Sequence, residues 1–352
     1  MLAGYSAYFD AERIQFLGLA EMMNVPGVIH GDPDVMDKLE AFEGFNLDGH
    51  CPLLRGQNLN AYIAAGIQNC HETVSLEEGK EKLALGMAVM IREGSVAKNL
   101  HALAPLITEF SSPLCLLCTD DRNPWEIERE GHIDFMIRTL IQTYGCPVHV
   151  AYRVASWSAA QHFHLRRLGL IAPGYKADIV LLSNPENVDI QRVLIGGQWV
   201  DTLGAENAET VLAATKPPMQ NSVACARLSQ NALQLSLTQG KTYRAARIVP
   251  NELITTEEHV KWDGHQFDFP DTCHLAVIER YGKGLAPTLG LVQGFNLQEG
   301  ALAGSVSHDS SVISSPSARV SRPSRISYPQ SSCGRRSPPF SRSSCGSRPY
   351  FT

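Results

Sequence analysis

Residues 66–96, GIQNCHETVSLEEGKEKLALGMAVMIREGSV, decide the fold. A short apolar run ends in His71 and Glu72, a helical pattern begins at Leu76, and a second apolar run begins at Met87. A strand, a helix and a second strand in this order are typical of a parallel β-sheet whose outer face is covered by helices. The stretch therefore predicts a β-α-β unit with polar side chains at the end of its first strand.

The same alternation recurs over residues 1–165. Five apolar runs are each followed by a helical pattern, and four of the five end in a side chain that can bind a metal. These four residues are Glu21, His50, His71 and Asp120. In a (β/α)8 barrel the carboxyl ends of the strands face the active site. Because the first turn lacks the glycine-rich GxGxxG pattern of an open dinucleotide-binding sheet, the sequence favours a barrel.

The chain divides into four segments. Since a complete barrel has eight units in about 250 residues, we expect residues 1–165 to form a partial barrel made of its last five strands. In residues 166–204 a helix ending near Gly169 is followed by a strand and a hairpin with a Gly-Gly turn, typical of a β-sandwich. Residues 205–309 predict an α+β or β-rich domain. Residues 310–352, rich in Ser, Arg and Pro and free of acids, predict a disordered and out-of-frame tail.

The composition limits the partners. A net charge of −6 does not favour binding to nucleic acid or to an anionic membrane, and an RNA-binding role for the Arg/Ser tail is a distant alternative. We find neither a signal peptide nor an apolar run of the roughly 18 residues that a membrane span needs. Nine Cys without framework spacing predict free thiols in a reducing cytoplasm. The Cys115-x-x-Cys118 pair is assigned no zinc or redox role.

Carboxylates and imidazoles at neighbouring strand ends are the pattern of a metal site. Nitrogen and oxygen ligands suit Zn, Mn or Fe, and a divalent ion lowers the pKa of a bound water to about 7. Taken singly, each residue has an ordinary explanation: Asp120 as a helix cap, Glu21 at an exposed helix start, either His as a structural hydrogen-bonding group. Their occurrence on successive units favours the metal site, and the adjacent Asp121 is then free to hold substrate or a proton.

Other catalytic patterns receive no support. His162 and His164 are two residues apart in a helical pattern, where their side chains diverge. The sequence has no GxSxG elbow of a serine hydrolase. Cys51 and Cys70 each adjoin a His but lack an orienting partner for a thiol mechanism.

Several segments together resemble adenine deaminases of the bacterial type, in the metal-dependent amidohydrolase superfamily. These segments are GLAEMMNVPGV, LDGHCP, AGIQNCHET, CTDDRNPWEIEREGHID, AYRVASWSAAQHF and LGLIAPGYKADIVLLS. The resemblance covers residues 1 to about 309. It implies hydrolytic deamination of adenine to hypoxanthine and ammonia by a metal-activated hydroxide, in purine salvage. It also implies a divalent metal, Mn2+ in first place with Fe2+ or Zn2+ as alternatives, and it is compatible with a homo-oligomer.

The resemblance assigns roles by position. The implied metal ligands are Glu21, His50, His71 and Asp120, with Glu21 bridging. Asp120 would also take up the proton of the hydroxide. Glu72 is assigned to catalysis as the source of a second proton, and Asp121 to contact with purine nitrogens.

The sequence departs from the family pattern at two places. No counterpart of the superfamily's first-strand His-x-His pair lies upstream of Glu21, and beyond SHDS (residues 307–310) the chain becomes rich in Ser and Arg where the family continues with a hydrophobic strand. We therefore expect a central fragment, truncated in front and frameshifted behind, that folds poorly and is inactive by itself. The alternatives are a non-catalytic pseudogene-like product and another cyclic-amide amidohydrolase, although hydantoinases and dihydroorotases carry a carboxylated Lys where Glu21 stands.

Overall fold

The computed structural model describes residues 17–202, 228–282, 284–297, 299–306 and 309–314. In the first of these ranges, strands and helices alternate as the sequence predicts. The elements are β1 (Gly18–Met22), α1 (Val25–His30), α2 (Pro33–Ala41), β2 (Asn46–Gly49), α3 (Gly56–Ala64), β3 (Asn69–Cys70), α4 (Leu76–Ala84), β4 (Ala88–Arg92), α5 (Leu100–Leu103), β5 (Cys115–Cys118), α6 (Pro124–Glu130), α7 (Ile133–Gln142), α8 (Val148–Ala155) and α9 (Trp157–His162).

The five strands are parallel neighbours in chain order. β1 pairs with β2, and β3, β4 and β5 form a second parallel sheet. The two sheets adjoin where the amide of Gln68, just before β3, donates to the carbonyl of Leu47 in β2 at 3.0 Å. The predicted α/β class is confirmed. Within the described residues β1 and β5 each pair on one side only, so these strands do not close a ring.

Two apolar cores hold helices against these strands. Strand β4 is almost wholly apolar and buried, as is typical of a parallel strand covered on both faces. The core beside β1–β3 includes Met22, Val28, Leu39, Leu59, Tyr62 and Cys70. The core beside β4 and β5 includes Val89, Ile91, Leu103, Cys115, Met136, Leu140, Val150 and Val154. Together they fix the strand ends that carry the predicted ligands.

Polar caps start the helices soon after the strands end. The side chain of Ser75 accepts from the amide of Glu78 at 3.3 Å, and α4 begins at Leu76, five residues beyond His71. Asn123 accepts from the amide of Glu126 at 3.0 Å, with Pro124 at the first helical position. Such caps satisfy amides that the helix leaves free, and they turn the chain away from the strand end.

The segment after the parallel strands differs from the prediction at one point. The helix expected to end near Gly169 is two helices, α8 and α9, because the backbone of Ser156 leaves the helical region between them, and α9 already ends at His162. The predicted hairpin is confirmed. Antiparallel strands β6 (Ile179–Asn184), β7 (Asp189–Ile195) and β8 (Gln198–Trp199) form a sheet, and the turn at Gly196 and Gly197 has positive φ at both residues.

The C-terminal described residues form a six-stranded sheet in the order β10-β9-β12-β11-β14-β13. Its strands are β9 (Thr242–Ile248), β10 (Thr255–Lys261), β11 (Cys273–Ile278), β12 (Thr288–Gln293), β13 (Ala301–Val306) and β14 (Asp309–Ser314). The prediction that disorder begins at residue 310 is wrong for residues 310–314, whose backbone pairs with both β11 and β13. The rest of the predicted tail lies outside the described residues.

The six-stranded sheet contacts the loop that follows β4. The amide of Lys98 donates to the carbonyl of Asn251 at 3.0 Å, and Nδ2 of Asn99 donates to Oε2 of Glu252 at 3.1 Å. Asn251 and Glu252 lie in the turn between β9 and β10. Within the described ranges, no helix has the length and apolar character needed to cross a membrane.

Candidate metal centre

Three of the predicted ligands converge on one carboxylate oxygen. Glu21 lies on β1, His50 directly follows β2 and His71 directly follows β3. Oε2 of Glu21 is 3.1 Å from Nδ1 of His50 and 3.1 Å from Nε2 of His71. The two imidazole rings lie 5.5 Å apart at an interplanar angle of 74°. Side chains from three consecutive strands therefore present one oxygen and two nitrogens to a common point.

Close packing of β2 against β3 brings the two imidazoles together. Gly49 has no side chain, and a Cβ there would lie 2.3 Å from the carbonyl oxygen of Asn69. The amide of Gly49 donates instead to Oδ1 of Asn69 at 3.3 Å. Any larger residue at position 49 would push apart the strand ends that precede His50 and His71.

Tyr62 links the ends of β1 and β2 through its hydroxyl group. Its hydroxyl accepts from the amide of His50 at 3.1 Å and donates to the carbonyl of Met22 at 2.5 Å. The side chain is fully buried, and burial raises the pKa of the Tyr62 hydroxyl, so the group stays a neutral donor at physiological pH. It therefore supports the spacing between Glu21 and His50.

A second ligand group shares His71. One ligand atom each from His71, Glu72 and Asp120 lie within 4.8 Å of one another. Oε1 of Glu72 is 3.4 Å from Nε2 of His71 and 3.8 Å from Nδ1 of His50. Burial raises the pKa of the Glu72 carboxyl, although the guanidinium of Arg92 and the two imidazoles act in the opposite direction. Glu72 is thus the buried acid between the two groups.

Asp120 lies at the rim of the site in a backbone conformation that non-glycine residues rarely adopt. Its φ is 51°, in the left-handed region that Asp tolerates better than most residues. Its side chain is 47% exposed, and Oδ2 is 2.6 Å from Nη1 of Arg92. Such backbone strain is concentrated at functional sites. The turn that holds Asp120 also aims the neighbouring Asp121 at the same guanidinium.

Arg92 belongs to the same cluster of side chains, although we predicted no role for it from the sequence. It ends β4, and only 7% of its side chain is exposed. Its guanidinium contacts Oε1 of Glu72, Oδ2 of Asp120 at 2.6 Å and Oδ1 of Asp121 at 3.0 Å. A signal was present, because β4 belongs to the one strand-helix unit without a predicted ligand and ends in a cation at the place where the other units carry acids or imidazoles.

Asp121 is held by the loop after β4. In addition to the contact with Arg92, its Oδ2 accepts from the amide of Val96 at 3.3 Å. A Cβ at Gly94 would lie only 1.8 Å from Oδ1 of Asp121 and 2.9 Å from the carbonyl oxygen of Thr119. The close approach of Asp121 therefore requires glycine at position 94.

The structure brings the predicted residues together as two overlapping groups rather than one. Among the described residues, Glu21, His50 and His71 form one candidate cluster, and His71, Glu72 and Asp120 form the other. His162, which we set aside, is a structural residue. Its Nε2 lies 2.8 Å from Nδ2 of Asn69, and its carbonyl accepts from Nδ2 of Asn46.

The chemistry of these donors fits a divalent metal. Both groups consist of carboxylate oxygens and imidazole nitrogens, which suit Mn, Fe or Zn. Oε2 of Glu21, equidistant from two imidazole nitrogens, is placed as a carboxylate between two other ligands would be. Glu72 and Asp120 add acids at the edge of the same site, where they can bind a cation or move a proton.

Comparisons with known proteins give two family matches. The amidohydrolase family model matches residues 16–200, and the model of the adenine deaminase C-terminal domain matches residues 252–314. The second match extends through β14, in agreement with the observed end of the sheet.

Several curated relatives are similar over most of the chain. An adenine deaminase of Edwardsiella ictaluri is 60% identical over 300 residues, which are 85% of this chain and 51% of that protein. An adenine deaminase of Bdellovibrio bacteriovorus is 58% identical over 84% of this chain and 50% of its own length. One from Escherichia coli is 57% identical with the same coverage, 84% and 50%. The chain thus spans about half the length of the curated relatives it matches.

Proposed function

The chain belongs to the amidohydrolase family, and from this premise we propose that its site serves the hydrolytic deamination of adenine to hypoxanthine and ammonia. The observation that carries the proposal is the oxygen of Glu21 placed 3.1 Å from the nitrogens of both His50 and His71. The similarity to adenine deaminases and the match to their C-terminal domain support adenine as the substrate.

We propose Glu21, His50, His71 and Asp120 as the ligands of a divalent metal, Mn2+ in first place with Fe2+ and Zn2+ as alternatives. When bound, the metal lowers the pKa of a water so that hydroxide is available near neutral pH. The four residues supply two nitrogens and two carboxylates, and Oε2 of Glu21 lies between the imidazoles. Asp120, which lies at the rim, is the ligand best placed to exchange protons with a substrate entering from solvent.

The reaction needs proton transfers that the acids of this site can perform. Water adds oxygen to C6 of adenine, the bond from C6 to the exocyclic nitrogen breaks, and that nitrogen leaves as ammonia after taking up a proton. Asp120 accepts the proton released by the attacking water. Glu72, whose pKa burial raises and which contacts His71, passes a proton on to the purine or the leaving nitrogen. Asp121 accepts a hydrogen bond from the purine.

The match to the amidohydrolase family also supports a proposal about the architecture. We infer that β1–β5 are consecutive strands of an amidohydrolase barrel and that β6–β8 belong to its β-sandwich. The proposed segments are 1–165, 166–204 and a C-terminal adenine deaminase-like domain, whose end we move from residue 309 to residue 314 because β14 is part of the six-stranded sheet.

The test uses the full chain, stripped with a chelator and reloaded separately with Mn2+, Fe2+ or Zn2+. Metal content is measured by elemental analysis, and conversion of adenine to hypoxanthine by absorbance together with ammonia release. Asp120→Asn keeps the size and the left-handed tolerance of the residue but should abolish turnover. His149→Gln, which removes an exposed pair with Glu109, is the matched control and should keep it.

Binding of metal and of adenine is measured separately from turnover. Calorimetry with adenine in the presence of Mn2+ should show binding that Glu21→Gln weakens, even in a chain that turns over slowly. A chain that binds neither Mn2+ nor adenine contradicts the proposal. Hydrolysis of dihydroorotate or hydantoin in place of adenine would support the alternative of another cyclic-amide amidohydrolase.

A further inference from the structure

A fully buried ion pair lies beneath the two imidazoles. Helix α4 carries Glu78 and Lys82 one turn apart, and their side chains are 1% and 0% exposed, with Nζ 2.6 Å from Oε1. Removing two charges from water costs several kcal/mol per ion, and an apolar pair of similar volume is often at least as stable. Packing of the apolar core therefore does not by itself explain why this buried ion pair is present.

Lys82 contacts both segments that carry an imidazole. Besides Glu78, its Nζ lies 2.9 Å from the carbonyl oxygen of Cys51, 3.3 Å from Sγ of Cys70 and 3.2 Å from Oγ1 of Thr73. Cys51 directly follows His50, and Cys70 directly precedes His71. A single ammonium thus reaches both strand ends at the residues next to the candidate ligands.

Glu78 makes the complementary contacts. Its Oε1 accepts from the amide of Leu53 at 2.9 Å, and its Oε2 accepts from the amide of Val74 at 3.1 Å. Leu53 has a positive φ of 60°, so the turn after His50 is held in a conformation that costs energy. The pair therefore bonds to residues 51 and 53 on one segment and to residues 70, 73 and 74 on the other.

We propose that Glu78 and Lys82 are positioning residues of the metal centre. Their hydrogen bonds fix the segments after β2 and β3 at the separation at which His50 and His71 face the same oxygen of Glu21. This inference rests on the proposed function, in which those residues bind a divalent ion. Mutation of groups that do not bind the metal but orient its ligands typically lowers metal affinity by 10- to 100-fold.

The experiment replaces the pair with apolar residues in the full chain, as Lys82→Met combined with Glu78→Leu. The Mn2+ dissociation constant is measured from the electron paramagnetic resonance signal of free Mn2+, and the free energy of unfolding is measured in EDTA. We expect Mn2+ affinity to fall about 10- to 100-fold while the metal-free chain stays folded. The matched control is Arg55→Gln. It breaks an exposed ion pair with Glu81, which lies on α4 like Glu78 and Lys82, and it should leave Mn2+ affinity unchanged.

The outcomes are separable. Wild-type chain that binds no Mn2+ overturns the proposed metal centre and this inference together. Wild-type chain that binds Mn2+, beside a folded double variant with unchanged affinity, overturns the positioning role alone. Should the double variant unfold, Thr73→Val decides, because it removes one acceptor of Lys82 and keeps the ion pair. Its affinity should be lower than that of the wild type, and an unchanged value refutes the inference.

Discussion

Replacing Arg92 with methionine tests the inference that its guanidinium offsets the negative charge of the acids around it. Arg92→Met keeps the length of the side chain and removes the cation that faces Glu72, Asp120 and Asp121. The exposures of the three acids decide the size of the effect, because Glu72 is only 3% exposed whereas Asp120 and Asp121 are 47% and 34% exposed. Water can solvate the latter two when the guanidinium is gone, but it cannot solvate Glu72.

The expected loss of stability follows from that difference. Removing one partner of a buried pair costs about 3–5 kcal/mol, and each half-exposed pair contributes about 0.2–1 kcal/mol. We expect Arg92→Met to lower the free energy of unfolding by about 3 kcal/mol at pH 7. For a domain of about 150–250 residues this corresponds to a fall in Tm of roughly 6–12 °C.

The assay is urea unfolding followed by circular dichroism, in EDTA so that no metal replaces the lost cation. Arg55→Met, at an exposed pair, should cost less than about 1 kcal/mol and serves as the control. Combining Arg92→Met with Glu72→Gln should cost at least 1 kcal/mol less than the sum of the single changes, since the two residues are in contact. A loss below about 1 kcal/mol for Arg92→Met, or additive effects of the two single changes, would contradict a buried Arg92–Glu72 charge pair.

Substitutions at three positions probe other parts of the site and its support. Gly94→Ala should displace Asp121 and weaken adenine binding in calorimetry without lowering Mn2+ content, because a Cβ there would lie 1.8 Å from the carboxylate; unchanged adenine affinity would show that Asp121 does not touch the purine. At Asp120, Asn should retain the fold and lose turnover, whereas Ala should also lose stability because it tolerates positive φ less well; equal unfolding free energies would argue against backbone strain. Burial lowers the pKa of His162, so below about pH 6.5 the unfolded chain takes up a proton that the folded chain refuses, and stability falls on acidification by at most about 1.4 kcal/mol per pH unit. The stability advantage of wild type over His162→Gln should therefore shrink between pH 7.5 and pH 5.5 in urea unfolding, and a constant advantage would contradict the pKa assignment.

The sequence predicted those features that follow from one repeated local rule. Parallel strands bring their carboxyl ends to one edge, so a ligand at each end was enough to place Glu21, His50 and His71 together. Arg92 was not predicted as part of the site because a guanidinium does not bind metal ions, and because its burial depends on acids contributed by two other strand ends. Strand β14 was not predicted because its Ser-rich residues have the composition of the tail that follows, although its backbone pairs with the preceding β13 and with β11, more than thirty positions earlier.

The contact between the loop after β4 and the six-stranded sheet joins the candidate metal centre to the C-terminal strands. The amide of Asn99 donates to the carbonyl of Arg92 at 3.1 Å, and the side chain of Asn99 donates to Glu252. Asn99 thus connects β4, the strand that carries Arg92, to the turn between β9 and β10. Since such linkage is reciprocal, a purine that orders Asp121 and Arg92 should protect the amides of β9 and β10 from hydrogen exchange, and loosening that hairpin should weaken the hold on the purine by an equal free energy.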